Sequence, residues 1–408
     1  MDDPDSLSLL FVQQWLQERG YSSALAALEK EVGLKYVDTK LERGSMLMGL
    51  VYSHMEQQAA AVDGVESDVE SAAEEERLLQ GGAQDFPNTC MASLEGLHAS
   101  SVIAVCCWPG QSKAITGSGD GNVRLFTFDG ELLWQTPVGG GGVLSLDLHP
   151  NVRQGDARLL AGSMDGSVTL LDGMTGNVLH TLRPHTKYCV RMRWSPEGAA
   201  AASCSWDHSM AVYSCPATTS EAGGSEALVL RKHHPYASQV QDVEFLQDGK
   251  TLAVALKQTN YLRLFDTESL QDTGRVNMNA FGDDHVSFSA SHLALSPCRQ
   301  YLLVSTDGAR IIMFRCQGWE LVRNFYGLPI EQFHQPCATW HRSGFYVMAA
   351  AAAGHVYVMH VGSAKVVANY KAHAKNVRSL HYDGDQNVLV TCSFDKNVKV
   401  YGYRSQVQ

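Results

Sequence analysis

CSFDKNVKVY (392–401) is the stretch on which the fold turns. Small and polar residues lead into an aspartate turn; apolar and polar residues then alternate and close on an aromatic ring. GSGDGNVRLF (117–126), GSMDGSVTLL (162–171), CSWDHSMAVY (204–213) and STDGARIIMF (305–314) share this shape, and KQTNYLRLF (257–265) and AAAAGHVYVM (350–359) are weaker copies. With Asp120, Asp165, Asp207, Asn260, Asp307, Gly354 and Asp395 as markers, successive spacings are 45, 42, 53, 47, 47 and 41 residues. Period-two alternation between turn residues is the pattern of antiparallel strands. A unit of about 40–45 residues holding four such strands is a propeller blade. The expected fold is therefore mainly β, a seven-bladed β-propeller over residues 86–408.

Two further rulers agree. Each turn is preceded by an apolar strand that ends in WPG at 108, LHP at 148, WSPEG at 194, FLQDG at 245, LSP at 295, WHRSG at 340 or HYDGD at 381. His98, His185 and His373 each stand 22 residues before an aspartate (Asp120, Asp207 and Asp395), and His285 has the same offset from Asp307. On these residues, 91–408 resembles a seven-bladed WD-repeat domain. The resemblance implies that each loop His bonds its turn Asp across the blade, with a Ser or Thr and a strand Trp completing the network. Here the Trp position holds Phe126, Leu171, Tyr213, Phe265, Phe314, Met359 and Tyr401, so no blade is expected to have the full network. Blades four and six also lack the turn Asp, which leaves their phase open by a few residues.

Composition sets the outer limits. Of 408 residues 45% are hydrophobic and 18% charged, too apolar for a disordered chain. The net charge of −11 has the wrong sign for a general nucleic-acid binder. The acidity is local: residues 1–90 hold 17 acids against 6 bases, and 91–408 hold 26 of each. The start, MDDPDSLSLL, is acidic where a signal peptide is basic, and FYVMAAAAA (345–353) is half a membrane span. All ten cysteines follow residue 89 without a CxxC pair, which reads as small core residues in a reducing compartment. A cytoplasmic protein, cytoskeleton-associated in one reading, with no membrane or nucleic-acid partner is the expectation.

Residues 5–32 read as two short helices. Leu7, Leu10, Phe11 and Trp15 form one apolar stripe. Gly20 sits where a helix end needs a left-handed residue, and Ser22 or Ser23 is placed to cap the next helix. Two helices this short cannot bury both faces alone, so self-association is expected. Leu10, Trp15, Leu16, Gly20, Tyr21, Ala24, Leu28 and Glu31 resemble the LisH motif, with Trp15 in place of its commoner Tyr. The resemblance implies a homodimer of intertwined helices over residues 1–60, with Leu7, Leu10, Phe11, Trp15, Leu16, Tyr21, Ala24 and Leu28 at its interface. A third helix is expected over 38–60. An acidic linker is expected over 61–85, with seven acids and one Arg between Val62 and Gln80.

Enzyme signatures fail one by one. DGKT (248–251) has Glu244 where a phosphate loop needs its first glycine. GSGDG (117–121) lies in a blade turn, and the GGGG run (139–142) precedes a strand, so it reads as a flexible loop. No GxSxG, HExxH or metal-spaced cluster is present. The pair His233–His234, after Arg231–Lys232, reads as an exposed loop rather than a ligand site. No catalytic residue, metal or cofactor is expected, and the His/Asp pairs are read as structural.

What remains is binding to other proteins. In the resembled family partners often meet the face that bears the Asp turns. The residues before each Asp are Gly119, Met164, Trp206, Thr306 and Phe394, of which Met164, Trp206 and Phe394 are the candidate partner-binding patch. The leading function is a dimeric non-enzymatic scaffold, similar in layout to LisH–propeller proteins that regulate dynein and microtubules. A substrate receptor or core subunit of a ubiquitin ligase is the second class. A nuclear corepressor or splicing-complex subunit is the third.

Overall fold

The computed structural model describes residues 4–18, 20–33, 35–36, 77–78, 82–215, 228–279, 286, 288–329, 331 and 336–404. The chain divides into two compact units, Met1–Leu78 and Leu79–Gln408.

The first unit holds helices α1 (Pro4–Glu18) and α2 (Ser22–Val32). Gly20 ends α1 at φ +73°, and the next N–H, of Tyr21, donates to Leu16 O at 2.9 Å; only glycine reaches that backbone region without cost. Neither Ser22 nor Ser23 caps α2: both lie inside its first turn, and Tyr21 holds the cap position without a side-chain bond. Phe11 and Leu25 are buried, and Trp15 stacks 5.7 Å from Tyr21. The expected third helix (38–60) lies outside the described residues.

The second unit is a ring of seven four-stranded antiparallel sheets. The innermost strands are Val102–Cys107, Val143–Leu148, Cys189–Trp194, Val240–Phe245, Ala290–Leu295, Ala338–Trp340 and Val377–Asp383, in blades one to seven. Each touches the next, and the seventh touches the first, so the ring is closed. Six blades are laid down in chain order from the inside out. The seventh takes its outer strand from the start of the unit, Thr89–Leu94, which pairs antiparallel with Val398–Gly402.

Second strands such as Arg158–Ser163 and Tyr301–Thr306 are buried on both faces, whereas outer strands alternate with solvent. That gradient explains why the second and third strands carried the legible repeat. Phe126, Leu171, Tyr213, Phe265, Phe314, Met359 and Tyr401 each stand next to last in a third strand and all are buried. In every blade a β-bulge sits at this residue in the pairing to the outer strand, bending the edge to follow the ring. The core lies between blades: Trp108, Ile115 and Val123 of blade one pack with Val143, Leu146 and Leu159 of blade two.

Blades four and six have the same four strands, but their markers are one residue out of phase: Asn260 and Gly354 stand five residues before Phe265 and Met359, whereas Asp120, Asp165, Asp207 and Asp395 stand six before the matching residue. Gly354 has φ +78°, and a Cβ there would overlap the His373 carbonyl. Packing onto the ring starts inside the stretch expected as linker. The Tyr346 hydroxyl donates to Gly82 O at 3.1 Å, Arg342 donates to Asp85 at 2.7 Å, and buried Phe86 lies 5.0 Å from the Tyr346 ring.

Removing the closing strand would expose the edge of Val398–Gly402 and invite edge-to-edge association. A chain starting at about residue 100 is therefore expected to aggregate on expression, whereas one starting at residue 82 melts cooperatively. Size-exclusion chromatography and thermal melts of the two compare them; equal behaviour would show that the ring does not need this strand.

Candidate functional site

Four of the five turn aspartates act as two-sided clamps. One carboxylate oxygen accepts the N–H two residues on: Asn122 to Asp120, Ser167 to Asp165, Ser209 to Asp207 and Asn397 to Asp395, at 3.0–3.1 Å. This is the local Asx turn for which Asp is favoured. The other oxygen reaches the loop that enters the same blade. Ala99, Thr186 and Ala374 N–H donate to Asp120, Asp207 and Asp395 at 3.2, 2.9 and 3.0 Å.

Three blades add the histidine. Nδ1 of His98, His185 and His373 lies 3.3, 3.3 and 3.1 Å from its aspartate. Nε2 lies 2.7, 2.8 and 2.9 Å from Thr116, Ser203 and Thr391. In blade three the Tyr213 hydroxyl continues the chain, 2.7 Å from Ser203 Oγ. Tyrosine thus completes a network that the sequence pattern had left without a fourth member. In blades one and seven Phe126 offers no polar atom and Tyr401 donates to Ala372 O.

Blade two solves the same problem without a histidine. Gly140 N–H donates to Asp165 at 3.0 Å, and side chains added at Gly139 or Gly142 would collide with Ser163 or with Gly119. The glycine run is a packed clamp, not the flexible loop expected. In blade five Ser289 N–H donates to Asp307 at 2.6 Å, and His285 lies outside the described residues.

The clamped turns display different surfaces. Phe394 is 40% exposed. Trp206 is not the exposed aromatic expected; it is half-buried, 5.4 Å from the Tyr188 ring, and its indole N–H has no partner among the described residues. Met164 is half-buried beside the Gly142 backbone, Gly119 is half-buried and Thr306 is buried.

His233 and His234 are not in a loop. They lie on the outer strand Val229–Pro235, where His234 packs 5.1 Å from Phe265. His185, Asp207 and His233 gather their ligand atoms within 4.8 Å. Both nitrogens of His185 already serve the clamp, so the cluster has little left for a metal.

A set of residues that sequence reading passed over lines the central channel. Arg191 Nε donates to Asp242 at 3.0 Å and Arg193 Nε to Glu244 at 2.8 Å, across blades three and four. Their alternation with apolar residues had the look of an ordinary solvent face. The signal was that these charges fall on innermost strands, where one face looks into the ring rather than outward.

Burial, with Arg124 adding to it, pushes the His98 pKa down to about 4 against the pull of Asp120; burial does the same to His185. Burial also opposes ionisation of Asp120, yet bonds from Arg124 and Asn122 hold its carboxyl well below the usual range. The histidines are thus neutral clamps at pH 7. Above pH 6.5 they are neutral in the folded and the unfolded chain alike. Between 6.5 and about 4 the unfolded chain takes up protons that the folded chain resists, so stability is lost as pH falls. At pH 5 the loss is about 2 kcal/mol for each of the two. Thermal melts at pH 7.5 and 5.0 should show a large drop in Tm, smaller in His185→Gln; a Tm that holds to pH 5 would contradict the neutral-clamp account.

Residues 88–127, 176–214 and 364–402 match the WD domain, G-beta repeat family. No curated protein matches the chain. Each matched segment contains an outer strand followed by three inner strands of the next blade, and the three are those with the His–Asp clamps. The chain carries WD40 repeats, arranged as the blades of a seven-bladed β-propeller.

Proposed function

We propose that this propeller is a protein-interaction scaffold whose partners dock on the face bearing the aspartate turns, and that residues 1–60 join two copies. WD40 propellers typically bind other proteins. Among the described residues no helix is long and apolar enough to cross a membrane. The observation that carries the reading is Phe394, an exposed aromatic on a turn that Asp395 and His373 hold rigid from below. A large side chain on a fixed backbone loses little entropy on binding and makes an efficient anchor. Trp206, beside Tyr188, extends the same face at blade three. Dimerisation is supported by the exposure of Tyr21, at 52%, and of Ala24 on helices too short to stand alone. We further propose a cytoplasmic, cytoskeleton-linked setting, on the resemblance to LisH–propeller proteins alone.

Phe394→Ala should weaken partner capture from native cells about 30-fold, the equivalent of about 2 kcal/mol, while moving the folding free energy by less than about 0.5 kcal/mol. Trp206→Ala, half-buried, should lower both capture and Tm. Asp207→Ala should lower Tm first, because it strips the Thr186 and Ser209 N–H groups and His185 of their shared acceptor. Undiminished capture by Phe394→Ala would sink the top-face reading. For the helices, Leu10→Asp with Leu16→Asp should convert a dimer to a monomer in light scattering with the β-sheet spectrum unchanged. A wild-type chain that is monomeric at micromolar concentration would remove that claim.

A further inference from the structure

At the end of the ring that bears the aspartate turns, the channel opens into a cavity of about 30 Å³ lined by all seven innermost strands or the residues just before them, and by Trp206 from the turn of blade three. Six of those strands carry a β-bulge at one position, after Val102, Val143, Cys189, Val240, Ala290 and Val377. A bulge re-aims the side chain that follows, and the bulged residues are Ile103, Leu144, Val190, Gln241, Ser291 and Arg378. All six line this mouth.

The mouth is one-sided in its chemistry. Among the described residues its only charged lining residues are Arg191 and Arg378. Asp242 lies beside Arg191, but its oxygens are engaged by Arg191 Nε and by the N–H groups of Val243 and Leu293. Arg378 has no carboxylate within bonding distance among the described residues. Around it, the Trp206 indole Nε1, the Gln241 amide nitrogen and His292 Nδ1 also lack partners, and His292 is only 9% exposed. Burial lowers the Arg378 pKa, and Arg191 adds to the effect. An indole N–H, an amide NH2 and a guanidinium are donors and never acceptors. Native proteins rarely leave such groups without a protein, water or ligand partner. These donors beside an unpaired guanidinium suit an anionic acceptor.

We propose that the mouth is an oxyanion site that receives the carboxylate of a Glu or Asp side chain from a partner protein docked on this face. The proposal rests on the top-face reading and names its recognition chemistry. The cavity has room for about two waters, enough for a carboxylate. Arg378 supplies the fork that a carboxylate fits in bidentate fashion. Ile103, Leu144, Val190 and Pro336 at the rim suit the methylenes behind it.

The test uses the 15N-labelled full chain and a blocked peptide of alternating Glu and Ala, with its Gln counterpart as control. The reporter is the Trp206 indole N–H signal, assigned by Trp206→Phe. A saturable shift with the Glu peptide, absent with the Gln peptide and weakened at least tenfold in Arg378→Met, is the expected result. An equal shift with the Gln peptide, or unchanged binding by Arg378→Met, would overturn the site. Inorganic phosphate that saturates the same signal at lower concentration than the peptide would overturn the choice of carboxylate. Without ligand, Arg378→Met should melt no earlier than wild type, since an unpaired buried cation is lost; an early melt would make Arg378 structural and overturn the proposal. If Phe394→Ala loses cellular partners while Arg378→Met keeps them all, the docking face stands and the anion site falls. If neither loses any, the docking face itself falls.

Discussion

The structure depends on how its innermost strands are satisfied. Each is the edge of its own sheet, and an edge strand presents unpaired N–H and C=O groups. Here side chains from a neighbouring blade meet several of them. Ser145 Oγ accepts Met192 N–H at 2.9 Å and Asp147 accepts Trp194 N–H at 2.6 Å, both from blade two to blade three. Asp242 accepts Leu293 N–H from blade four to blade five, and His381 Nδ1 accepts Cys107 N–H from blade seven to blade one. The indoles of Trp194 and Trp340 donate back to Asp147 O and Ala294 O of the preceding blade. A blade outside this ring would leave those groups unmet, so blades and ring are interdependent.

That dependence explains the two separate jobs of aspartate in this chain. On the turns, Asp120, Asp165, Asp207 and Asp395 are partly open and hold loops to turns within one blade. In the channel, Asp147 and Asp242 join one blade to the next. The first set recurs at the repeat spacing because every blade needs its turn fixed. The second does not recur, since any acceptor of the right length will serve, and Ser145 and His381 do as well.

This difference marks what could be read from the sequence. The repeat and the His–Asp spacing were legible because they are periodic and each lies within one blade. Blades four and six were less so, because Asn260 and Gly354 reach the same turn by different means: one with a polar side chain, the other with a left-handed backbone. The glycine run at 139–142 was misread because the donor it provides is a backbone N–H, which leaves no side-chain signature. Trp206 was placed correctly on its turn, yet its burial against Tyr188 depends on a neighbouring loop that the repeat does not specify. The channel charges were invisible for a related reason: Arg191 and Glu244 look like ordinary exposed residues until seven strands converge on one axis.

The convergence also sets the charge of the channel. The innermost strands carry Arg191, Arg193 and Arg378 together with Asp147, Asp242, Glu244 and Asp383. Burial pushes Glu244 up to about 7 and Asp147 up to about 6, even against the pull of Arg193. Part of the compensating negative charge is therefore protonated near neutrality, while no arginine gives up its proton there. His292 and His381, pushed down by burial to about 3 and about 4, add nothing positive of their own. The unpaired cation Arg378 lies nearest the mouth, because the two raised acids sit deeper along their strands than it does on its own. The bonds that tie blade to blade consume the channel's acceptors, and the cation they leave over stands where the ring opens beside the displayed turns.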